Sequence, residues 1–144
     1  MRILGKRGKG NLFYVYINII SPSLDKSALI RFVVDTGASV TGIGMVDSIR
    51  NGINIFDFEK IDDITYGVGG NLESYILPDC KITFLTEDGN NDIVGHTEEL
   101  NFIQMFHEPR IFENGYNPIP SLLGIDILEK FKISFKDDIV TLEK

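Results

Sequence analysis

The chain has 144 residues and a mass of 16.2 kDa, which suits one domain with a sizeable core. Apolar residues make up 43% and charged residues 24%, which argues against collagen, coiled-coil and wholly disordered architectures. The net charge is −7. Four of the 14 basic residues lie in the first ten positions, so residues 11–144 hold ten basic and 21 acidic residues, a net charge of −11. A body this acidic argues against nucleic acid as a partner, because a phosphate backbone needs a basic face.

No run of 18 apolar residues is present in the sequence, so no membrane-spanning helix and no membrane partner are predicted. The basic start precedes an apolar stretch, but polar side chains interrupt that stretch and no small-residue cleavage site follows. We therefore expect a cytoplasmic protein. Residues 1–10 are basic and rich in glycine, and are predicted to be a flexible tail before a domain over 11–144. The one cysteine, Cys80, excludes an intramolecular disulfide and is predicted to be a buried, unreactive thiol.

Patterns typical of β-strands dominate the chain. In order, strands are predicted over residues 11–20, 28–34, 61–68, 71–77, 79–85, 119–123, 132–135 and 139–142, with one or two more within 93–106. The third and fourth of these runs, 61–68 and 71–77, flank a glycine-rich turn and are predicted to form a hairpin. Helical spacing is confined to residues 45–50 and 125–131. Many short strands separated by turns predict an all-β sandwich or barrel.

The most informative stretch is residues 32–39, FVVDTGAS, in which an apolar strand leads directly into Asp35, Thr36 and Gly37. A carboxylate at the end of a buried strand is costly unless it is paired and hydrogen-bonded. One interpretation is structural, an Asx turn in which the Asp35 side chain caps its own backbone. The other interpretation is a catalytic acid. The triplet alone does not decide between them.

Two further motifs favour the catalytic interpretation. A glycine-rich hairpin tip over residues 66–70 has the composition of a mobile flap. Near the carboxyl terminus, residues 122–124 are two leucines and a glycine that precede a short helix, and a glycine there permits close backbone approach beneath a site. Taken singly, these motifs are equally typical of a β-turn and of a strand-to-helix connection.

With these three motifs in this order, residues 11–144 resemble the retropepsin-like aspartic proteases, the single-domain relatives of pepsin. The resemblance implies an all-β fold, a closed acid-protease barrel with one short C-terminal helix. It implies an aspartic endopeptidase, without metal or cofactor, that acts on an extended peptide or protein substrate. The implied catalytic residues are Asp35, Thr36 and Gly37. The implied substrate-binding residues are Ala38, Ser39, Tyr66, Gly67, Val68, Gly69 and Gly70, and those with a structural role are Leu122, Leu123 and Gly124.

The chain contains one Asp-[Thr/Ser]-Gly triplet, so it supplies one catalytic carboxylate. Two carboxylates in contact share a proton, as they do in aspartic proteases generally, and so provide an acid and a base at the same pH. The hypothesis therefore requires a two-fold homodimer in which each subunit contributes Asp35. The resemblance implies that Thr36 links the two loops and that the Gly37 N–H supports the carboxylate. Because Ala38 has no hydroxyl to donate to that carboxylate, we predict a weakly acidic pH optimum.

Other functions find less support in the residues. The histidines and their acidic neighbours lack the spacing of a metal site; they are His96, His107, Glu98, Glu99 and Glu108. Residues 67–70 lack the lysine pattern of a phosphate-binding loop. Nothing around Cys80 is typical of an activated nucleophile. The alternative that stays open is a catalytically silent, dimeric peptide-binding module of the same fold.

Overall fold

The computed structural model describes the backbone of residues 1–67, 70–87 and 93–144, and their side chains except at 62–67, 70, 71, 87, 93 and 94. In these residues the strands are, in chain order, β1 (Arg2–Arg7), β2 (Phe13–Ile20), β3 (Ala28–Val34), β4 (Gly42–Ile43), β5 (Glu59–Gly67), β6 (Gly70–Glu87), β7 (Ile93–His107), β8 (Leu122–Leu123), β9 (Lys132–Lys136) and β10 (Ile139–Glu143). The helices are α1 (Met45–Arg50) and α2 (Ile125–Leu128), with 3-10 turns at Lys9–Asn11 and Ile55–Asp57. The fold is all-β, as predicted.

Six strands close into a barrel. Their hydrogen-bonded order is β6, β7, β4, β8, β3 and β2, and the pairing of β2 with β6 completes the ring. Outside the ring, β5 pairs with β6, while β1, β10 and β9 extend the sheet beyond β2. Closure leaves the ring without a free strand edge. The closed barrel predicted from the resemblance is thereby confirmed.

Strand β3 shows how the sequence fixes the inside and outside of this barrel. Ala28, Ile30 and Phe32 are buried, whereas Leu29 and Arg31 between them are exposed. Successive side chains of a strand point to opposite faces, so this alternation allows one register only. Burial of each large apolar side chain stabilises the fold by about 1.5–3 kcal/mol. The largest fully buried side chains are Phe32, Phe84, Ile3, Ile17, Ile19, Ile30, Ile43, Leu77, Ile82, Ile103, Met105 and Leu123.

The amino terminus differs from the prediction. Residues 2–7, expected to belong to a flexible tail, form β1, which pairs with β10 and β2. Ile3 is fully buried in the core. Gly5, one of the glycines that suggested a loose tail, instead allows close packing, because a Cβ there would lie 2.4 Å from the Tyr14 carbonyl oxygen. Glycine here serves strand contact, a use that composition alone does not distinguish from flexibility.

Other boundaries differ in length. The runs 71–77 and 79–85 belong to one long strand, β6, interrupted at Asp79, which adopts a φ of 52°. Residues 93–107 form the single strand β7. The strand predicted over 119–123 is shorter in the structure and consists of the two residues of β8. The Ile119 N–H just before it donates to a buried side chain, Glu108, instead of to a strand. The helix predicted over 125–131 ends at Leu128, and the helical spacing at 45–50 corresponds to α1.

Candidate active site

Asp35 follows the last residue of β3 at one end of the barrel. Its backbone N–H donates to the Leu123 carbonyl at 3.1 Å, and its own carbonyl accepts from the Ala38 N–H at 3.2 Å. Its side-chain Oδ1 accepts a hydrogen bond from the Gly37 N–H at 2.9 Å. The Asx turn of the structural interpretation is therefore present, and the carboxylate is half-buried at the end of an apolar strand. This one hydrogen bond leaves most of the acceptor capacity of the carboxylate unused within the described residues.

Strand β8 holds this loop from beneath. It lies between β3, with which it pairs in parallel at Leu122 and Leu123, and β4, which is antiparallel to it. Gly124 follows at the crossing point, where a Cβ would lie 2.6 Å from the Val40 carbonyl carbon and 2.9 Å from the Ala38 oxygen. Any larger residue would push the 35–41 loop away. Residues 122–124 thus lie against the loop that carries Asp35, and the structural role assigned to them stays a prediction.

A second carboxylate, Asp126 in α2, fixes the far end of the same loop. It accepts hydrogen bonds from the Thr41 N–H at 3.1 Å and from the Thr41 hydroxyl at 2.7 Å. The Thr41 hydroxyl in turn accepts from the Gly124 N–H at 3.1 Å. The sequence analysis placed Asp126 only within the predicted helix over 125–131. Its partner lies 85 residues away in the chain, so local spacing carried no signal of this contact.

Thr36, Gly37 and Ser39 are exposed, and Ala38 is half-buried. No hydrogen bond among the described residues occupies the Thr36 hydroxyl. The exposed edge of the loop therefore carries a residue with a hydroxyl, Thr36, next to Asp35 in the chain.

The glycine-rich hairpin is formed by β5 and β6. Their backbones pair at Tyr66 with Asn71 and at Gly67 with Gly70. Val68 and Gly69, which the sequence also assigned to the flap, lie outside the described residues. Among those that are described, no hydrogen bond joins this hairpin to the 35–41 loop. The predicted hairpin pairing is observed, and its role as a flap stays a prediction.

The segment over residues 108–120 connects β7 to β8 and is held by Glu108, which the sequence analysis considered only as an acidic neighbour of the histidines. Glu108 is 1% exposed, accepts a hydrogen bond from the Tyr116 hydroxyl, and accepts from the Ile119 N–H at 3.1 Å. The hydrogen bond to Glu108 raises the pKa of Tyr116. Ser121, just before β8, donates to Asp47 of α1 at 2.6 Å. Both carboxylates therefore shape the approach of the chain to β8.

The structure separates the residues considered for a metal site. His96 contacts Glu98 at 2.9 Å, His107 contacts Glu73 at 3.2 Å, and Glu108 is bound as described above. In the described ranges, no group of three or more histidine, cysteine, aspartate or glutamate residues is close enough to hold a metal ion. Cys80 is buried, as predicted, and its burial raises the pKa of its thiol to about 12.

Comparison with known proteins identifies the fold. No family model matches the chain, and no curated protein matches it. Among solved structures, it is similar to a retropepsin-like aspartic protease from Rickettsia conorii, at 21% identity and a TM-score of 0.53. The match covers 99% of this chain and 89% of that one. No helix in the described residues is long and apolar enough to cross a membrane. With an Asp-Thr-Gly loop resting on a Leu-Leu-Gly strand inside a closed barrel, the chain has the fold of the retropepsin-like aspartic proteases.

Proposed function

We propose that this chain is an aspartic endopeptidase that works as a homodimer, with Asp35 from each subunit at one site on the two-fold axis. The observation that carries the proposal is the placement of the Asp35 carboxylate. It stands at the open end of a buried strand, on a loop fixed from beneath by Leu123 and Gly124, with one hydrogen bond from Gly37. Acid–base chemistry requires a carboxylate that is held in place and whose oxygens are largely free of hydrogen bonds.

The chemistry follows from two such carboxylates in contact. One is ionised and removes a proton from a water molecule, whose oxygen attacks the carbonyl carbon of the peptide bond. The other is protonated and donates to the carbonyl oxygen, which gives a tetrahedral intermediate. Cleavage of the carbon–nitrogen bond then returns a proton to the leaving amine. A single chain has one such loop, so a second copy has to supply the other carboxylate.

The exposed edge of the loop supports this arrangement. Thr36 is exposed, its hydroxyl has no hydrogen-bond partner in the described part of the chain, and in the proposed dimer it would meet the second copy. An extended substrate would lie across the paired loops beneath the β5–β6 hairpin, with residues 66–70 closing over it and Ala38 and Ser39 below.

Cleavage of a mixture of unstructured peptides between pH 4 and pH 7 tests the proposal. We expect the wild-type protein to cleave and Asp35→Asn to lose activity by about 10³-fold or more, because the nearly isosteric amide cannot exchange a proton. The matched control is Asp138→Asn, which changes an exposed carboxylate on the β9–β10 turn and should keep full activity. Equal cleavage by wild type and Asp35→Asn would refute the catalytic role. Peptide binding without cleavage by the wild type would favour the silent binding module.

The dimer has its own test. Activity per subunit should fall on dilution, and Thr36→Ala should shift that fall to higher protein concentration because it removes the hydroxyl at the contact between loops. Light scattering at the same concentrations should show dimers where activity is present. A stable monomer that is nevertheless active would contradict the shared site.

A further inference from the structure

A groove with a volume of about 450 Å³ lies on the outer face of the sheet, between β1 and β6 and over β2 and β3. Its surface is mainly apolar. Leu4, Tyr16 and Leu29 are 38%, 52% and 53% exposed, and Leu85 lies beside Tyr16 because the two residues pair across β2 and β6. Large apolar side chains that remain exposed together in a concave surface are typical of an interaction site.

The charges around the groove are unlike those of the rest of the chain. Lys6, Arg7 and Arg31 line it, and none of the described residues that line it is a carboxylate, although the chain carries a net charge of −7. Arg7 is paired with Asp138 at 3.1 Å. Lys6 and Arg31 form no ion pair within the described residues. The Arg31 guanidinium lies 4.1 Å from the centre of the Tyr14 ring, a cation–π contact that orients this charge at the groove.

We propose that this groove binds a segment of a partner polypeptide in which an aromatic or large aliphatic side chain is flanked by carboxylates. The apolar side chain would cover Leu4, Tyr16 and Leu29, and the carboxylates would pair with Lys6 and Arg31. Strand β2 is already paired on both sides, with β3 and with β1 or β6, so recognition occurs through side chains and not by addition of a strand. This binding is independent of catalysis at Asp35.

The surrounding charges favour a polypeptide over an anionic membrane. Along the same edge of the sheet, Arg2 lies 3.7 Å from Glu143, and Arg7 is paired with Asp138. A flat anionic bilayer would approach these carboxylates as well as the cations. A peptide segment that lies within the groove would contact Lys6 and Arg31 without approaching Glu143 or Asp138. Complementary charge would mainly accelerate association and select the partner, while the apolar contact would supply most of the affinity.

Fluorescence anisotropy with labelled peptides tests the proposal, using full-length protein that carries Asp35→Asn so that no probe is cleaved. The probe is a short peptide of glutamate and aspartate around a central phenylalanine and leucine. One control probe replaces the two apolar residues by serine, and another replaces the acids by lysine. We expect saturable binding of the first probe, roughly tenfold or more tighter than that of either control.

Variants of the groove give the second arm. Lys6→Glu with Arg31→Glu should weaken probe binding roughly tenfold or more, and Leu29→Ser should weaken it separately. The matched control, Lys26→Glu with Lys132→Glu, makes the same change in net charge at exposed sites outside the groove and should bind as the parent does. Circular dichroism checks that each variant is folded, and Lys6→Gln with Arg31→Gln replaces the charge reversal if that variant does not fold.

Three results would overturn the proposal. An equal loss in the control pair would show attraction by net charge alone. Binding to phosphatidylserine vesicles without preference among the peptides would show a membrane surface. Self-association that disappears in the groove variants, with no probe binding in the parent, would show that the occupant is a second copy.

Discussion

Asp35 and Glu108 each follow directly after a strand, β3 and β7, yet their surroundings are opposite. Glu108 is almost fully buried, and the Tyr116 hydroxyl and the Ile119 N–H occupy its oxygens. Asp35 is half-buried and, in the described part of the chain, accepts one hydrogen bond from Gly37. A carboxylate whose hydrogen bonds are all made within the fold stabilises structure, whereas one left largely unoccupied on a rigid support is available for chemistry. Position after a strand does not distinguish these two environments, whereas the number of hydrogen-bond donors around each carboxylate does.

The largest effect on stability is expected at Glu108. Glu108→Ala leaves the Tyr116 hydroxyl and the Ile119 N–H without their acceptor, and should lower the free energy of unfolding by about 3 kcal/mol, measured by urea denaturation. Tyr116→Phe removes one of these contacts and should cost about 1 kcal/mol. Activity per folded molecule should persist in both variants. Loss of activity in a fully folded Glu108→Ala protein would remove the distinction between the two carboxylates.

Asp126 offers a case between these extremes, because it is structural but holds the 35–41 loop. Asp126→Ala removes the acceptor for both groups of Thr41 and should lower the free energy of unfolding by about 2 kcal/mol. It should also reduce kcat at temperatures where the variant is folded, since the loop loses its far attachment. Asp138→Ala, an exposed carboxylate, should change neither by a measurable amount. An Asp126→Ala protein with wild-type kcat would show that the β8 contact alone positions Asp35.

Glu98 is a third carboxylate with hydrogen bonds inside the fold, and it should make the stability of the protein depend on pH. Burial opposes its ionisation, but hydrogen bonds from Lys144 and His96 and the charge of Lys130 outweigh this and lower its pKa from 4.5 to about 2. Its folded-state pKa lies below the unfolded value, so its contribution is complete above pH 4.5 and is lost as the pH falls towards 2. We expect a loss of about 1–2 kcal/mol, reduced from the full shift because both lysines are partly exposed. Thermal melts of Glu98→Gln should show a flatter dependence over this range, and an unchanged slope would contradict the assignment.

The smallest effect is expected next to Asp35 itself. Ala38→Ser introduces a hydroxyl that can donate to the carboxylate and stabilise its ionised form. The acidic limb of the pH–activity profile should therefore move to lower pH, by less than about one unit. Ala38→Val adds volume without a donor and serves as the control. A shift to higher pH, or none, would count against the role given to position 38.

The parts of the site that are local in sequence could be predicted, and those that depend on distant contacts could not. The run from Phe32 to Gly37 predicts a buried strand followed by an Asx turn, because both depend on residues that are close in sequence. The use of Gly5 for close contact with Tyr14 was missed, since the same residue in isolation favours flexibility. The contact between Asp126 and Thr41 was also missed, because the two residues are distant in sequence and meet only after the barrel has closed. The burial of Glu108 could not be predicted either, because it depends on the following loop folding back so that Tyr116 and Ile119 contact the carboxylate.

The two-residue strand β8 has a consequence for how the protein is made. Asp35 donates its N–H to Leu123, and β8 lies between β3 and β4, so the support for Asp35 comes from chain synthesised 88 residues later. Contacts this far apart in sequence form late and slowly. A nascent chain lacks the floor on which Asp35 rests until residues 122–124 have left the ribosome. A hydrolytic centre built in this way would be silent while that later segment is still missing.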